Sequence, residues 1–356
     1  MKLFVLVNAG FEKSAAAEIK ELTGANSVSH DNVLEFETKD DETALSFLNH
    51  VQSARRVLVS LGKNNDLDDL DFSGFNFNDF LSSEMSFKIE VENVQGNENR
   101  LAIAKKVAGK IYASMDFEPK LEMKNPDCLV VIYFNGKEYF LGVDLCGQEL
   151  NSRNYRVFTN PASFKGDLAY FFVRKVGFNL DQKILVGFCK DGTMAIESAI
   201  LVNNIPLLNK KCSANKFPVF SKMDNIVEKN KNNKNNKNNV FAFDPSRQNV
   251  TAAKKNSQLA GVKDLVEIQK YSLDELDVKF SENDFDCLIF QVTTKDEDNI
   301  NEIYYQSNYI LKKKGKLLLV GKKNWAVSIS DKFKLVDEGE IKKGDSVHKF
   351  WLLEKK

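Results

Sequence analysis

Residues 183–197 constrain this chain more than any other segment. They hold an apolar run over 184–186, a short loop containing Gly187 and Gly192, and a helical pattern over 193–201. Strand, tight glycine loop and helix in that order is how α/β proteins cradle a nucleotide, because loop amides and the helix N-terminus face the ligand. The loop departs from such a cradle in two ways. Close approach of ligand to backbone wants glycine, yet Lys190 stands between Cys189 and Asp191. No acidic residue ends the strand. The segment predicts the fold and leaves the chemistry in question.

The pattern downstream extends this reading. Helices are expected over 167–176, 193–201, 246–259 and 299–311. Strands are expected over 184–186, 240–243, 265–269, 285–290 and 316–320, with a closing hairpin over 333–338 and 348–353. Alternating helices and strands imply an open, mostly parallel sheet covered on both faces. Upstream the order differs. Strands over 3–7, 33–37 and 56–61 with helices over 12–22 and 43–50 suggest a small α+β unit. Residues 66–79 are acidic and dotted with Phe and Gly, and read as a connector or surface helix. A second unit starts near 86, with a strand over 87–91, a helix over 99–115, a short strand at 121–123 and a hairpin across Asn135-Gly136. The Lys-Asn-Asn tract at 230–239 cannot build a core and reads as a disordered surface insertion.

Composition narrows the class. A chain of 356 residues is long for one core and points to two or three domains. Lys+Arg and Asp+Glu balance at 50 each, so any nucleic-acid binding must come from local patches. The five cysteines form no C-x-x-C pair and match no zinc spacing, so neither a metal nor a disulfide framework is expected and a cytoplasmic protein fits. No stretch approaches the ~18 apolar residues of a membrane helix.

Together the segments resemble the THUMP-domain RNA methyltransferases, most closely the branch that methylates N2 of guanine in tRNA, or in rRNA in bacterial relatives. The resemblance is carried by Asn125-Pro126-Asp127, the strand 139–144, Leu150-x-x-Arg153-x-Tyr155-Arg156, Asn160-Pro161-Ala162, Asp244-Pro245, Asn256 and Ala260-Gly261-Val262. It implies a ferredoxin-like domain at 1–80, a THUMP RNA-binding domain at 81–150, a linker at 151–164, and a Rossmann-like class I methyltransferase domain at 165–356 with an insertion near 222–239. It implies S-adenosylmethionine as cofactor if the protein is active, and RNA, tRNA above all, as partner.

The departures from the family pattern fall on the chemistry. Val186 stands for the first acid, Gly187 for a proline, Lys190 for a glycine and Asp191 for a serine, while Cys189, Gly192 and Thr193 are kept. Ala242 stands where an acid would bind the donor ribose, with Asp244 two residues on as the alternative; Tyr271 or Ser272 replaces the acid for the adenine amino group. The fourth motif, Asn/Asp-Pro-Pro-Tyr/Phe in the family, is Gln291-Val292-Thr293-Thr294 here. The resemblance thus implies Cys189, Gly192, Thr193 and Asp244 as donor contacts and Gln291 and Thr294 as the catalytic pair if activity survives. Lys105, Lys106, Lys110, Arg153 and Arg156 are the candidate RNA contacts; Arg153 and Arg156 equally suit pairing with Glu149 or Asp144. Three readings stay open: an RNA-binding protein with lost or weak catalysis, an active guanine-N2 methyltransferase, and a protein-interaction scaffold.

Overall fold

The computed structural model describes residues 1–72, 74–208, 212–221, 223, 239–292, 296–325 and 327–356. Thr294 and most of the Lys-Asn-Asn tract lie outside them. The chain divides into two units. One comprises Met1–Leu150 and the described part of Pro206–Lys231; the other comprises Asn151–Ile205 and the described part of Asn232–Lys356.

The first unit is built on one eight-stranded sheet. Its strands are β1 (Lys2–Leu6), β2 (Val28–His30), β3 (Val33–Glu37), β4 (Arg56–Asn64), β5 (Ser86–Glu92), β6 (Lys120–Leu121), β7 (Cys128–Phe134) and β8 (Tyr139–Asp144). The order is β2-β3-β1-β4-β8-β7-β5-β6. Antiparallel pairing of β4 with β8 carries the sheet across residue 80, where a domain boundary was expected. Among the described residues three helices serve this unit: α1 (Glu12–Thr23), α2 (Asp41–His50) and α3 (Asn97–Ala113). Asp40 caps α2 by accepting from the Thr43 amide at 2.7 Å.

The connector over 66–79 is not a surface helix. Its only regular element among the described residues is the turn Phe77–Asp79, and Leu67, Leu70, Phe72, Phe77 and Phe80 are buried. Phe80 meets Phe217 and Phe220 edge-on, at centroid distances of 5.5 and 6.5 Å. The aromatic residues override the acidic composition because each Phe in such a cluster removes a large apolar area from water.

The second unit carries β9 (Ile184–Gly187), β10 (Val240–Phe243), β11 (Val266–Gln269), β12 (Phe285–Gln291), β13 (Leu311–Lys322), β14 (Phe333–Lys343) and β15 (Ser346–Lys355). Their order is β11-β10-β9-β12-β13-β15-β14; the first five run parallel, β15 is antiparallel to β13, and β14 is antiparallel to β15. The helices are α4 (Gly166–Val176), α5 (Thr193–Asn203), α6 (Arg247–Leu259), α7 (Leu276–Lys279) and α8 (Glu297–Ile310). β12 is apolar and buried along nearly its whole length, as a central parallel strand covered on both faces must be. The strand order reverses between β9 and β12. Ligands of open α/β sheets bind at the carboxyl ends of strands beside such a reversal. No helix among the described residues is long and apolar enough to cross a membrane.

Candidate functional site

The loop from β9 to α5 is held in a glycine-like shape by residues that are not glycine. Phe188 and Lys190 both adopt left-handed backbone, with φ of 53° and 52°. Each such residue costs roughly 1–2 kcal/mol, so the surroundings must hold it there. They do. The Lys190 amide donates to Asp244 Oδ2 at 3.0 Å, and the Cys189 amide donates to the Phe243 carbonyl at 3.0 Å. Gly192 is required twice over: its φ is 81°, and a Cβ there would come within 2.8 Å of the Ala253 Cβ. Gly187 is required by crowding, since a Cβ would lie 2.5 Å from the Phe290 ring.

Aromatic rings fill the carboxyl ends of the central strands. Phe188 packs on Phe243 at 5.6 Å and on Phe290 at 6.3 Å, and Phe243 meets Phe290 edge-on. The cleft lined by Ser163, Phe164, the loop residues 186–189, Asp191, Thr193, Met194 and Gln291 holds only about 10 Å³. That is room for about one water; pockets for drug-sized ligands run to roughly 300–1,000 Å³.

The carboxylates of this region are committed to the protein. Asp244 accepts from the Lys190 amide, from the Ser246 amide at 2.9 Å and from Asn249 Nδ2 at 3.0 Å. Its oxygens order the two loops after β9 and β10. Asp191, wholly buried, accepts from Thr193 Oγ1 at 2.7 Å and pairs with Arg156 at 3.0 Å. Glu197 is equally buried. It takes two hydrogen bonds from Arg153, at 2.8 and 3.0 Å, and one from the Tyr155 hydroxyl at 2.5 Å. The Arg153 side chain lies over Gly166, where a Cβ would collide with it.

This corrects the sequence reading of the arginines. Arg153 and Arg156 are not exposed phosphate clamps: Arg153 pairs with Glu197 and Arg156 with Asp191. Asp144 pairs with Arg56 at 2.5 Å and Glu149 with Arg55 at 2.9 Å. Two buried carboxylates on the β9–α5 segment claim Arg153 and Arg156, because a buried ion is tolerated only when paired. Glu197 and Asp191 carried no signal beyond a place in the first turns of a helix.

The lysines of α3 divide. Lys110 donates to the carbonyls of Asp68 and Leu70, the latter at 2.9 Å, and Lys106 pairs with Asp68 at 2.6 Å. Both tie the 66–72 connector to the helix. Lys105 is exposed.

Cys189 is buried, and desolvation, with Asp244 and Asp191 nearby, pushes its thiol far up. A nucleophilic thiolate is excluded there. Gln291, at the end of β12, donates from Nε2 to the Ala162 carbonyl at 3.0 Å. Thr193 Oγ1 is spent on Asp191. Among the described residues no cluster of His, Cys, Asp and Glu has an arrangement suited to a metal.

Beside the filled cleft lies a second cavity of about 620 Å³. Pro161, Ala162, Lys190, Gln291, Val292, Gly321, Lys322, Trp325, Lys343, Ser346 and His348 line it. Lys190 is 8 % exposed. Burial, with repulsion from Lys343, brings its ammonium down to about 8 against the pull of Asp244 and Asp191. Burial and then Lys343 lower His348 as well.

Comparison with known proteins places this geometry. Residues 153–321 match the family described as RMKL-like methyltransferase domain. The tRNA (guanine(6)-N2)-methyltransferase of Methanocaldococcus jannaschii is 24% identical over 307 residues, covering 80% of this chain and 79% of its own length. The ribosomal RNA large subunit methyltransferase K/L of Photobacterium profundum is 23% identical over 289 residues, 76% of this chain but only 40% of the relative. The crystal structure of TrmN from Thermus thermophilus superposes with a TM-score of 0.71 at 16% identity, covering 99% of each chain.

Proposed function

We propose that the chain, whose residues 153–321 match the RMKL-like methyltransferase domain family, is an RNA-binding member of the RNA guanine-N2 methyltransferase-like family whose own methyl transfer is lost or weak. Its RNA is of the tRNA type, as the name of the Methanocaldococcus relative suggests.

One observation carries the reading: the cleft at the β9–α5 loop has room for about one water, with Phe188, Phe243 and Phe290 packed together at the ends of its strands. The donor of the family reaction is S-adenosylmethionine, and the residues do not fit it. Asp244, the one acid left to meet the ribose, has three hydrogen bonds from its own loops. The neighbouring cavity has space, but Lys190, Lys322 and Lys343 line it. S-adenosylmethionine carries a sulfonium cation, and a partly desolvated cation is repelled by the buried Lys190 and the half-buried Lys343.

The second reading, an active S-adenosylmethionine-dependent tRNA guanine-N2 methyltransferase, is favoured by the activity for which the Methanocaldococcus relative is named. It assigns Gln291 and Thr294 to the target base and Cys189, Gly192 and Thr193 to the donor. Titration calorimetry with S-adenosylmethionine separates the two. No saturable binding into the millimolar range is expected; micromolar affinity, or transfer of labelled methyl groups to unmodified tRNA, overturns the proposal. A shift assay with total tRNA addresses the RNA half. Binding that weakens with added salt is expected, and no binding at all would leave the scaffold reading in its place.

A further inference from the structure

Two cysteines of the first unit lie thiol to thiol. Cys146 and Cys212 are far apart along the chain, and their thiols are hydrogen-bond partners. The backbones around them are joined as well. The Ser213 amide donates to the Cys146 carbonyl at 3.2 Å, and the Ala214 amide donates to the Leu145 carbonyl at 2.8 Å. Gly147 permits the approach, since a Cβ there would collide with Ser213 Oγ. A disulfide forms without backbone movement only where the two backbones are already close. Both cysteines are free thiols.

The two sides of the pair differ. Cys146 is buried and follows β8 in a turn that Asp144 holds: Asp144 Oδ1 accepts from the Cys146 and Gly147 amides at 2.9 and 3.1 Å. Asp144 is itself fixed by Arg56. Cys212 is half-buried and precedes the short turn Ser213–Lys216. Its thiol donates to the Leu145 carbonyl at 2.9 Å. The hydrogen bond from Cys146 brings the Cys212 thiol below its ordinary value despite burial; the same bond, with burial, pushes Cys146 up. Thiol–disulfide exchange needs an accessible thiolate to open the oxidant and a second thiol within reach of the mixed disulfide. Cys212 meets the first need and Cys146 the second. Cys128, Cys189 and Cys287 are buried, and desolvation pushes their thiols up.

We propose that Cys146 and Cys212 are a modification site: they form a reversible disulfide that fastens residues 212–216 to the turn after β8, with a small-molecule disulfide as the oxidant. The Cys212 thiolate attacks one sulfur of the oxidant, breaks its S–S bond and releases one thiolate. Cys146 gives its proton to solvent and attacks the Cys212 sulfur of the mixed disulfide, expelling the second thiolate. The cysteine pair loses two electrons and two protons, and the oxidant gains them as two thiols.

The test uses the full chain, incubated with oxidised glutathione under native conditions and mapped by mass spectrometry without reduction. The expected product has two hydrogens fewer and one cross-linked peptide joining Cys146 to Cys212, and dithiothreitol restores both thiols. Cys146→Ser should stop at a glutathione adduct on Cys212, and Cys212→Ser should give neither bridge nor adduct. Hydrogen exchange at the Ser213 and Ala214 amides should slow by at least about 10-fold on oxidation, because a bridge that closes a long loop opposes local opening. A wild-type chain that stops at the adduct, pairs other cysteines, or keeps all its thiols while folded overturns the proposal. So does a bridge that leaves the two amides exchanging as before. None of these readouts involves a methyl donor or RNA, so the outcome is independent of the function proposed above.

Discussion

Two neighbouring regions of the second unit use the same strand ends and have opposite character. At the end of β9 the loop is packed shut: three phenylalanine rings, a cleft of about 10 Å³ and carboxylates bound to arginines and amides. At the ends of β12 and β13 the wall is open over about 620 Å³ and lined with Lys190, Lys322 and Lys343. Lys190 belongs to both. Its backbone completes the closed side through Asp244, and its side chain lines the open side. A ligand crevice at a strand-order reversal is therefore not lost as a whole. One half is packed as core, and the other is an open cavity lined by lysines.

If the closed side is core, breaking its ion network should unfold the unit. Glu197→Ala removes the carboxylate that accepts from the buried Arg153 guanidinium and Tyr155 hydroxyl. A loss of about 3–5 kcal/mol is expected from urea unfolding. A loss under about 1 kcal/mol, the range of an exposed pair, would mean that water reaches Arg153 and that the region is a site rather than a core.

The open side should answer in the other direction. A fall of the Lys190 ammonium from 10.5 to about 8 corresponds to roughly 3 kcal/mol held against folding. Between those two values the unfolded chain carries more protons than the folded one, so stability rises with pH across that window. The penalty is fully present below pH 8 and gone above 10.5. Lys190→Met should stabilise the protein at pH 7 by up to roughly 3 kcal/mol, and the advantage over wild type should vanish as pH climbs through the window. Lys343 and His348 titrate around the same cavity and Asp244 and Asp191 face it, so the difference between wild type and variant is the quantity to follow. A variant less stable than wild type at pH 7 would show that Lys190 is already paired.

The same contrast explains what was legible in the sequence. The elements of the second unit followed from apolar runs and their breaks: 184–186 and 285–290 are strands because they are buried on both faces, and their periodicity says so. The closed loop was half legible, since Lys190 at a glycine position announced a changed surface, but not that the backbone would keep the glycine shape. Arg153 and Arg156 looked like surface charge because their partners, Glu197 and Asp191, read only as residues suited to a helix N-terminus. The open cavity was invisible. Lys343 and His348 come from the closing hairpin, and only the order β13-β15-β14 brings them beside Lys190. The connector misled through composition: its acids are at the surface, while Leu67, Leu70, Phe72 and Phe77, irregularly spaced, are buried.

The smallest effects test whether the first unit presents any of its lysines to RNA. Three lysines of α3 looked equivalent in sequence and are not. Lys110→Ala removes the hydrogen bonds to the Asp68 and Leu70 carbonyls and should cost about 1 kcal/mol of stability. Lys106→Ala gives up an exposed pair with Asp68 and should cost between about 0 and 1 kcal/mol. Lys105→Ala should leave stability unchanged, since its side chain is exposed and ties no other element to the helix. Its effect should appear in RNA binding alone, where one phosphate contact contributes roughly 0.9 to the slope of log affinity against log salt. A slope unchanged by Lys105→Ala would remove the last of the three from the RNA-contacting surface. A slope that falls as much for Lys110→Ala would mean that the connector releases this lysine when RNA binds.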